Sequence, residues 1–337
     1  MEKLNVLYTS DQKFIDITLA SIISLIENSG VSKIDIHMIT SGFSRDDYQK
    51  IESIIDLFPS INISFYPLEN FDINKYQIPE WRGTQIANAR LFFQEILREN
   101  IQEMDNILYL DSDTIIVDGL NELDQYKDGP IGAVKDHKKH SDLKKLGISN
   151  YYNSGVLYIN TKKWIENAMQ DRLIETLERT TDDLLFPDQD LLNMSFQEEF
   201  ITMPQEYNLG PISYLYGSLG EKLYFNGRIR QVDLPEVVKA KEKPRIIHTY
   251  GFANIKPWNN NTVNPYNEEF MKYLNLINPE FIKSDPEIMG RVFMDRPRLL
   301  KLAFLIKTYM PSKLDVQVKN TFNKMEKPSQ NKQYIKK

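Results

Sequence analysis

The first two-thirds of the chain alternates short apolar runs with amphipathic helical patterns, and this alternation limits the fold most. Lys33–Thr40 alternates apolar and polar residues with period two, which is typical of a strand. Phe14–Glu27 has helical periodicity, and Ser44 is a suitable cap for a helix that runs to about Leu57. Asn106–Leu110 is short and apolar, as expected at the centre of a parallel sheet. The βαβαβ order predicts a doubly wound α/β fold.

Weaker patterns complete the prediction. Further strands are predicted at residues 4–9, 61–66, 155–160 and 245–248, and further helices at 84–98, 161–180, 188–196, 268–276 and 286–309. The polar stretch 136–150 is rich in Lys and His and is predicted to be a loop. The pattern favours a mostly parallel central sheet with helices on both faces and a helical extension at the C-terminus.

The length of 337 residues suits one large domain with an extension better than two full domains. We expect a main domain at 1–262, a helical extension at 263–310 and a basic, disordered tail at 311–337. Hydrophobic residues make up 41% of the chain, enough to bury a core. Because the chain has no Cys, any metal must be held by carboxylates, imidazole, backbone oxygen or substrate.

Charge is distributed unevenly along the chain. Residues 291–337 contain 12 Lys and Arg against 3 Asp and Glu, which is a net charge of +9. Since the whole chain has a net charge of −6, the other residues carry −15. Such asymmetry suggests an anionic partner. The mixture of basic and apolar residues suits an anionic membrane surface, and it suits equally a packed helix followed by a soluble tail. No nucleic-acid partner is predicted.

Sequence patterns also bear on location. No apolar run approaches the roughly 18–20 residues that span a bilayer. The first residues have a strand pattern rather than the apolar centre of a signal peptide. The expected location is the cytoplasm, with peripheral contact at the inner face of the cell membrane as the open alternative.

Two aspartates follow the central apolar strand. Asp111 and Asp113 are two residues apart, so both carboxylates can converge on one cation beyond the carboxyl edge of the sheet, where ligands bind in open parallel sheets. Two hard oxygen ligands suit Mg²⁺ or Mn²⁺, with substrate phosphates completing the coordination. Taken alone, the motif is equally typical of a solvated turn.

A different enzyme class begins in the same way. Haloacid-dehalogenase-type phosphatases follow an apolar strand with Asp-x-Asp-x-Thr, and Asp111–Thr114 fits that pattern. Those enzymes carry the motif near the N-terminus and need a distant Gly-Asp loop. This chain has three βα units before Asp111 and no Gly-Asp dipeptide. The phosphatase is therefore the alternative interpretation.

The strand predicted at 245–248 ends in a possible third ligand. One imidazole, that of His248, beside two carboxylates favours Mn²⁺. Gly251 would let the backbone approach a phosphate, and Lys256 offers a point charge to a diphosphate. A lone His is more often a core residue, but the nearby Gly, Lys and Trp258 favour a site.

Two further motifs carry polar side chains. Asn153 and Gly155 precede an apolar strand, where an ordinary turn is the simpler explanation. Asp188 and Gln189 open a helix behind Pro187, where capping by Asp188 needs no function. A Gln between two Asp exceeds what a cap requires, so a functional role is as favoured as a structural one.

Together these motifs resemble glycosyltransferase family 8, the group with bacterial lipooligosaccharide galactosyltransferases, general stress protein A and glycogenin. The resemblance covers about residues 3–260. The shared motifs, in order, are Leu-Tyr-Leu-Asp-Ser-Asp, Tyr-Asn-Ser-Gly-Val-Leu-Tyr-Ile-Asn, Asp-Gln-Asp-Leu-Leu-Asn and His-x-x-Gly…Lys-Pro-Trp. The resemblance implies the α/β fold called GT-A, that of nucleotide-diphospho-sugar transferases.

The resemblance also implies a role for each site residue. The implied metal ligands are Asp111, Asp113 and His248, holding Mn²⁺ with Mg²⁺ as the alternative. The implied donor-binding residues are Tyr8, Thr9, Ser10, Gln12, Arg90, Ser112, Asn153, Gly251 and Lys256. The residues implied to act on the sugar are Asp188 and Gln189.

The implied activity is the retaining transfer of galactose or glucose from a UDP-sugar to a hydroxyl of an acceptor glycan. A double displacement needs a carboxylate nucleophile, whereas Gln189 carries an amide, so front-face attack is favoured. A third alternative is a non-catalytic UDP-sugar-binding protein, against which the intact metal and phosphate motifs argue. The sequence does not distinguish the hexose, nor a surface polysaccharide, glycolipid or glycoprotein acceptor.

Overall fold

The computed structural model describes residues 1–283 except 81–82, 137, 139, 181–183, 212, 215–231, 233, 252–255, 261, 263 and 282. The helix predicted at 286–309 and the basic segment 291–337 lie outside the described residues. The strands are β1 (Lys3–Asp11), β2 (Lys33–Ser41), β3 (Ile61–Pro67), β4 (Asn106–Leu110), β5 (Thr114–Ile116), β6 (Ile131–Lys135), β7 (Tyr152–Asn160), β8 (Phe200–Met203) and β9 (Ile246–His248). The α-helices are α1 (Ile15–Asn28), α2 (Arg45–Ile55), α3 (Phe93–Leu97), α4 (His140–Leu146), α5 (Thr161–Glu166), α6 (Met169–Arg179), α7 (Pro187–Phe196), α8 (Leu234–Glu242) and α9 (Asn267–Ile277).

The main sheet is mixed but mostly parallel, as predicted. In the part of the chain that the structure describes, it has seven strands in the order β3-β2-β1-β4-β7-β6-β8. β7 is antiparallel to its neighbours β4 and β6, and the other pairings are parallel. The chain moves outward from β1 to β3 and returns on the other side of β1 as β4. This reversal creates a switch point at the carboxyl ends of β1 and β4, where ligands bind in open α/β sheets.

Alternation along β1 and β4 separates two cores. Leu7 and Tyr109 face the core that α3, α5, α6 and α7 cover. Tyr8 and Leu110 face the opposite core, under α1 and α2. Since successive strand residues point to opposite faces of the sheet, helices on both sides bury the apolar residues of both faces. The result is the predicted three-layer α/β/α arrangement.

A small second sheet lies next to the Asp-x-Asp motif. β5 follows the turn after β4 and pairs with β9 in an antiparallel register that sets Thr114 opposite His248. Ile115 of β5 and Ile247 of β9 are both 1% exposed. This pairing brings a histidine from late in the sequence beside the aspartates.

The helix predicted at 84–98 is wrong over most of its length. Only α3 is α-helical, and 3₁₀ turns lie on either side of it. Arg90 is buried before α3, and its guanidinium donates to the carbonyls of Ala87 and Ser154 at 2.8 and 2.9 Å. These contacts override the helical propensity of the segment. Arg98, at a φ of 53°, ends α3.

The loop predicted at 136–150 is also wrong, since it contains α4. Leu143 is buried with Ile148 and Tyr151, and Leu146 packs against them. Two leucines three residues apart share one helix face, so burial of that face stabilises α4.

The single helix predicted at 161–180 is divided into α5 and α6. The side chain of Asn160 caps α5 by accepting from the Lys163 amide at 2.9 Å. Ala168 then adopts a left-handed conformation with a φ of 48°, which interrupts the helix. Strands β6 and β8, of 5 and 4 residues, are missing from the sequence prediction because such short runs carry little periodicity.

Helix α9 confirms the helix predicted at 268–276. Phe270 and Leu274 pack against Ile17 and Ile23 of α1. Helix α9 therefore packs directly on α1, one of the helices that cover the main sheet. The domain boundary expected at residue 262 stays a prediction from the sequence. Among the described residues, no helix is both long and apolar enough to cross a membrane.

Candidate active site

The Asp-x-Asp motif forms a tight turn at the carboxyl end of β4. The amide and hydroxyl of Thr114 both donate to the Asp111 carbonyl, at 3.2 and 2.8 Å. The Asp111 amide donates to the Gly155 carbonyl on β7 at 2.8 Å, and the Asp113 carbonyl accepts from the Thr249 amide at 2.9 Å. The backbone of the turn is thus fixed by strands on two sides, so both carboxylates are held in place.

His248 faces both carboxylates. Its Nε2 lies 3.4 Å from Oδ2 of Asp111 and 3.0 Å from Oδ1 of Asp113, yet this buried nitrogen makes no aligned hydrogen bond. Its Nδ1 lies 2.9 Å from Oδ1 of Asn208, which can only accept, so Nδ1 carries the proton. The side chain of His248 is 1% exposed, whereas that of Asp111 is 24% exposed. Nε2 is therefore directed at the carboxylates from the protein interior.

One cation, Lys256, completes what we call the metal corner, defined as Asp111, Asp113, His248 and Lys256. The ammonium of Lys256 pairs with Asp113 and lies 5.2 Å from the centre of the Trp258 ring. Arg90 pairs with Asp111 at 2.9 Å from outside the corner.

The pKa of each group in the metal corner reflects burial opposed by neighbouring charges. Burial favours neutral acids, but at Asp111 the charges of Arg90 and His248 outweigh it and hold the pKa below its usual range. At Asp113, Lys256 and His248 do the same. Burial also disfavours the His248 cation, yet both aspartates outweigh it and raise the pKa of His248 to about 9.

These residues fit a divalent metal ion. One ligand atom from each of Asp111, Asp113 and His248 lies within 4.8 Å of the others. Two carboxylates and one imidazole are suitable ligands for a first-row divalent ion. A Cβ on Gly155 would lie 2.1 Å from Cε1 of His248 and 2.6 Å from Oδ2 of Asp111. Glycine is needed there because β7 passes directly beneath the ligand atoms.

A second group of polar residues lies beside the metal corner, and we call it the polar wall: Asp136, Asn153, Asp188 and Gln189. Gln189 accepts from the Ser154 amide at 2.9 Å and donates to Asp136 at 3.2 Å. Asp188 accepts from the Ser154 hydroxyl at 3.1 Å.

Arg90 connects the metal corner to Asp188, which lies in the first turn of α7 and belongs to the polar wall. Arg90 lies between the two regions, with Nε 3.2 Å from Asp188 and Nη1 2.9 Å from Asp111. Burial and the charge of Asp111 raise the pKa of Asp188, although Arg90 opposes the shift.

Asn153 and Asn208 connect the same two regions by a chain of hydrogen bonds. Asn208 binds His248 through its oxygen and donates from Nδ2 to Oδ1 of Asn153 at 2.9 Å. Asn153 donates in turn to Asp136 at 3.1 Å and accepts from the Gly155 amide at 2.9 Å. The position of the metal-facing histidine is therefore coupled to the polar wall.

The residues predicted to bind the donor at the end of β1 are divided between two environments. The hydroxyl of Tyr8 bonds Ser21 of α1 at 3.1 Å inside the core, so only the Tyr8 backbone faces the switch point. Gln12 is exposed and donates to Asp47 at 2.9 Å, away from the metal corner. The structure does not bring these two side chains to the other candidates.

Thr9, Ser10 and Ser112 lie together at the switch point. The Thr18 hydroxyl donates to that of Ser112 and shares a hydrogen bond with that of Ser10, each at 2.8 Å. Ser112 donates to the Thr9 carbonyl at 3.1 Å. The Thr9 hydroxyl lies 3.0 Å from that of Tyr109. This hydroxyl cluster joins β1 and α1 to the Asp-x-Asp turn.

Gly251 follows β9 and has a φ of 102°, which strongly favours glycine. Lys256, five residues further on, pairs with Asp113.

The sequence reasoning missed several residues in the site. Asp136 follows the apolar strand β6, the same signal that identified Asp111, but β6 itself was not predicted. Tyr109, which donates to Asp111 at 2.6 Å, lies within the apolar run of β4, where no sequence signal distinguishes it from a core residue. Asn208 follows a 3₁₀ turn, and no sequence signal marks it.

Comparison with known proteins now decides the family. The family model described as "Glycosyl transferase family 8" matches residues 5–262, well over half of the chain. The chain belongs to glycosyltransferase family 8. This family membership leaves the phosphatase alternative without support.

The relatives that this chain resembles are distant in sequence. General stress protein A of Bacillus subtilis is 23% identical over 262 residues, 75% of this chain and 86% of that protein. Lipopolysaccharide 1,2-glucosyltransferase of Escherichia coli K12 is 26% identical over 218 residues, 61% of this chain and 62% of that protein. Glycosyltransferase GlyE of Streptococcus pneumoniae is 29% identical over 185 residues, 55% and 40% of the two chains. The chain therefore spans less than two-thirds of the last two relatives.

Solved structures confirm the GT-A fold. Galactosyltransferase LgtC, in complex with donor and acceptor sugar analogues, matches with a TM-score of 0.65 at 21% identity, over 82% of this chain and 96% of that chain. The structure of GlyE from Streptococcus pneumoniae has a TM-score of 0.57 at 24% identity, over 83% and 63% of the two chains. At these identities the likeness concerns the fold.

Proposed function

We propose that this glycosyltransferase is a retaining, Mn²⁺-dependent hexosyltransferase that moves glucose or galactose from a UDP-sugar to a hydroxyl of an acceptor glycan. The observation that carries the proposal is the convergence of Asp111, Asp113 and the unpartnered Nε2 of His248 beside Lys256. A corner with this donor set and an adjacent ammonium suits a metal and a diphosphate together.

In this proposal the metal corner binds the leaving group. Asp111, Asp113 and His248 would hold Mn²⁺, with Mg²⁺ as the alternative, and a bound ion would supply Lewis-acid stabilisation of the charge on the diphosphate. The Lys256 ammonium adds a second positive charge, and Gly251 allows the backbone to approach the phosphates. Arg90 neutralises Asp111 and Asp188 and orients both.

The residues after β1 bind the nucleoside. Thr9, Ser10 and Ser112 lie at the switch point and contribute backbone and hydroxyl groups to the uridine and ribose. Tyr8 contributes through its backbone, since its hydroxyl is bonded inside the core. Gln12 would have to exchange its bond with Asp47 to reach the base.

The polar wall lines the sugar. Both ends of the Gln189 amide are already hydrogen-bonded, to Ser154 and to Asp136, which fixes the amide and makes it unsuitable as a nucleophile. We therefore propose front-face attack, in which the acceptor oxygen bonds to C1 of the hexose as the C1–O bond to UDP breaks, and an oxygen of the departing UDP takes the acceptor proton. Gln189, Asp188 and Asn153 would orient the sugar and stabilise its oxocarbenium-like transition state.

The names of the relatives guide the choice of donor and acceptor. One relative is named a lipopolysaccharide 1,2-glucosyltransferase, and one structural neighbour is a galactosyltransferase bound to donor and acceptor sugar analogues. On that basis we propose a surface polysaccharide, glycolipid or glycoprotein acceptor. We also propose that the enzyme works in the cytoplasm, with the basic segment 291–337 contacting anionic lipid at the inner membrane face. Sedimentation with anionic liposomes, with and without that segment, tests the last point.

The decisive experiment measures UDP release from a panel of UDP-hexoses, with Mn²⁺ or with EDTA and without acceptor. The expected result is Mn²⁺-dependent release from one donor. The absence of both release and Mn²⁺-dependent UDP binding would contradict the proposal. Hydrolysis of simple phosphate esters without UDP, measured in parallel, would restore the phosphatase alternative.

A further inference from the structure

A buried ion pair lies behind the polar wall and takes no part in the proposed chemistry. The ammonium of Lys138 lies 2.9 Å from Oδ1 of Asp190 and 2.9 Å from the hydroxyl of Tyr151. Lys138 is 5% exposed and Asp190 is 1% exposed. Tyr151 also donates to Asp190, so the three side chains form a closed buried triangle.

Both oxygens of the Asp190 carboxylate are engaged. Oδ2 accepts from the backbone amides of Leu185 and Phe186, at 2.9 and 3.0 Å, just before α7 begins. The Lys138 ammonium lies 4.6 Å from the centre of the Phe186 ring. The ion pair therefore fixes three separate pieces of backbone: the segment after β6, the residue before β7 and the entry to α7.

Two cross-links join the segment after β6 to the first turn of α7. One is the hydrogen bond between Asp136 and Gln189 in the polar wall, at 3.2 Å. The other is the pair between Lys138 and Asp190, at 2.9 Å. Lys138 follows Asp136 by two residues, and Asp190 follows Gln189 by one. The buried pair therefore anchors, from behind, the two segments that carry the polar wall.

We propose that Lys138 is a positioning residue, whose pairing with Asp190 holds Asp136 and Gln189 in the arrangement that acts on the sugar. This inference rests on the proposed function, since it assigns the polar wall to the transferred hexose. The inference predicts that the pair affects the rate of sugar transfer, and that the binding of metal and UDP depends on the metal corner instead.

Burial cost favours a positioning role over a purely stabilising one. Two charges removed from water are stabilising only when their geometry is excellent, and an apolar pair of similar volume often stabilises a fold as well. Fully satisfied buried networks instead rigidify the segments that they join. Such rigidity is useful where an error of about 1 Å in the position of a group can lower the rate about 100-fold.

The test compares two variants of the pair with one control. Lys138→Met removes the ammonium but keeps an unbranched apolar side chain. Lys138→Met/Asp190→Asn also removes the carboxylate, so no unpaired charge stays buried and the protein folds even where the single variant does not. The control is Arg172→Met, because Arg172 pairs with Glu199 and donates to the Ser195 carbonyl at 3.2 Å, at the far end of α7.

The expected result is a separation of turnover from binding. In Lys138→Met, kcat for Mn²⁺-dependent UDP release should fall about 10–100-fold, with the Kd for UDP and Mn²⁺ unchanged within twofold. The double variant should recover the wild-type Tm while kcat stays low. Arg172→Met should lower Tm and leave kcat unchanged. Recovery of kcat together with Tm in the double variant would overturn the proposal.

A substrate-independent measurement distinguishes failure of this inference from failure of the proposed function. The Ser154 amide donates to Gln189 at 2.9 Å, so its hydrogen exchange reports whether Gln189 is held. Exchange should accelerate in the double variant at wild-type Tm, and stay slow in Arg172→Met. If wild-type protein shows neither UDP release nor Mn²⁺-dependent UDP binding, the proposed function fails, and this exchange comparison alone decides the positioning role. Unchanged exchange would overturn it.

Discussion

The metal corner and the polar wall differ in how completely the protein satisfies their polar groups. In the metal corner, charge dominates, and the buried Nε2 of His248 has no aligned hydrogen-bond partner. In the polar wall, Gln189 and Asn153 use both ends of their amides in bonds to neighbouring residues. The metal corner is therefore incomplete without a bound cation, whereas the polar wall is already organised.

This difference indicates how the two regions would contribute to transfer. An unsatisfied buried nitrogen has a free-energy cost that a bound metal ion removes, so the metal corner gains from its ligand. A satisfied network loses little motion when the sugar arrives, which is what transition-state stabilisation by fixed dipoles requires. Variants of the metal corner should therefore abolish the binding of Mn²⁺. Variants of residues that connect the metal corner to the polar wall should show how tightly the two regions are coupled.

The largest effect is expected for Asp113→Asn. The change keeps the size of the side chain but removes a charge that pairs with Lys256 and faces His248. Loss of a metal ligand should remove several kcal/mol of stabilisation, equivalent to about a 10³-fold loss of UDP release. Calorimetry should show no Mn²⁺ binding, and excess Mn²⁺ should not restore activity. Asp72→Asn, at an exposed position, is the matched control, and Mn²⁺ affinity retained in Asp113→Asn would remove this residue from the ligand set.

A somewhat smaller effect is expected for Gly155→Ala. The new Cβ would lie 2.1 Å from Cε1 of His248 and 2.6 Å from Asp111, so one of the ligands must move. A displacement of about 1 Å can cost about 100-fold in rate. In Gly119→Ala, by contrast, the nearest atom lies 3.8 Å from the new Cβ, and activity should be unchanged. Equal Mn²⁺ affinity in the two alanine variants would show that β7 does not constrain the metal corner.

The candidate metal ligands were predictable from the sequence because they lie at or just after strand ends. Asp111 follows β4 and His248 ends β9, and strand ends are visible as apolar runs followed by polar residues. The same alternation puts Tyr8 and Thr9 on opposite faces of β1, but only the structure shows that the Tyr8 hydroxyl bonds Ser21 inside the core. The helices on both faces and the sheet's mostly parallel order followed from the βαβαβ pattern.

The connections between the two regions were not predictable. No strand or helix pattern in the sequence marks Asn208 or Lys138 as important, and the residues that they contact are distant in sequence. Their importance comes from tertiary packing that sets one side chain against another. Local propensity does not report such pairings. For the same reason the helix predicted at 84–98 is mostly not formed, because the buried Arg90 makes tertiary contacts that override its propensity.

Asn208→Ala tests the coupling of the two regions. Its oxygen accepts from Nδ1 of His248, which leaves Nε2 as the nitrogen that a metal ion would bind, and its amide donates to Asn153. Loss of such a partner typically lowers metal affinity about 10–100-fold. Calorimetric titration of Mn²⁺ measures the change, with the exposed Asn100→Ala as control. An unchanged Mn²⁺ affinity would mean that the metal corner holds its histidine without help from the polar wall.

The last prediction concerns stability rather than activity: the Tm of protein stripped of divalent ions by EDTA should depend on pH. The pKa of His248 is raised from 6.5 to about 9, so its contribution is fully present below about pH 6.5 and is lost as pH rises through about 9. Between pKa values of 6.5 and about 9, at about 1.4 kcal/mol per pKa unit, the loss is about 3–4 kcal/mol, or several degrees in Tm. Thermal denaturation between those pH values measures it, with His248→Asn as the control that lacks the titrating group. Saturating Mn²⁺ should flatten the wild-type curve, because the ion replaces the Nε2 proton. If wild type and His248→Asn lose Tm in parallel in EDTA, the charge of His248 is not what stabilises the metal corner.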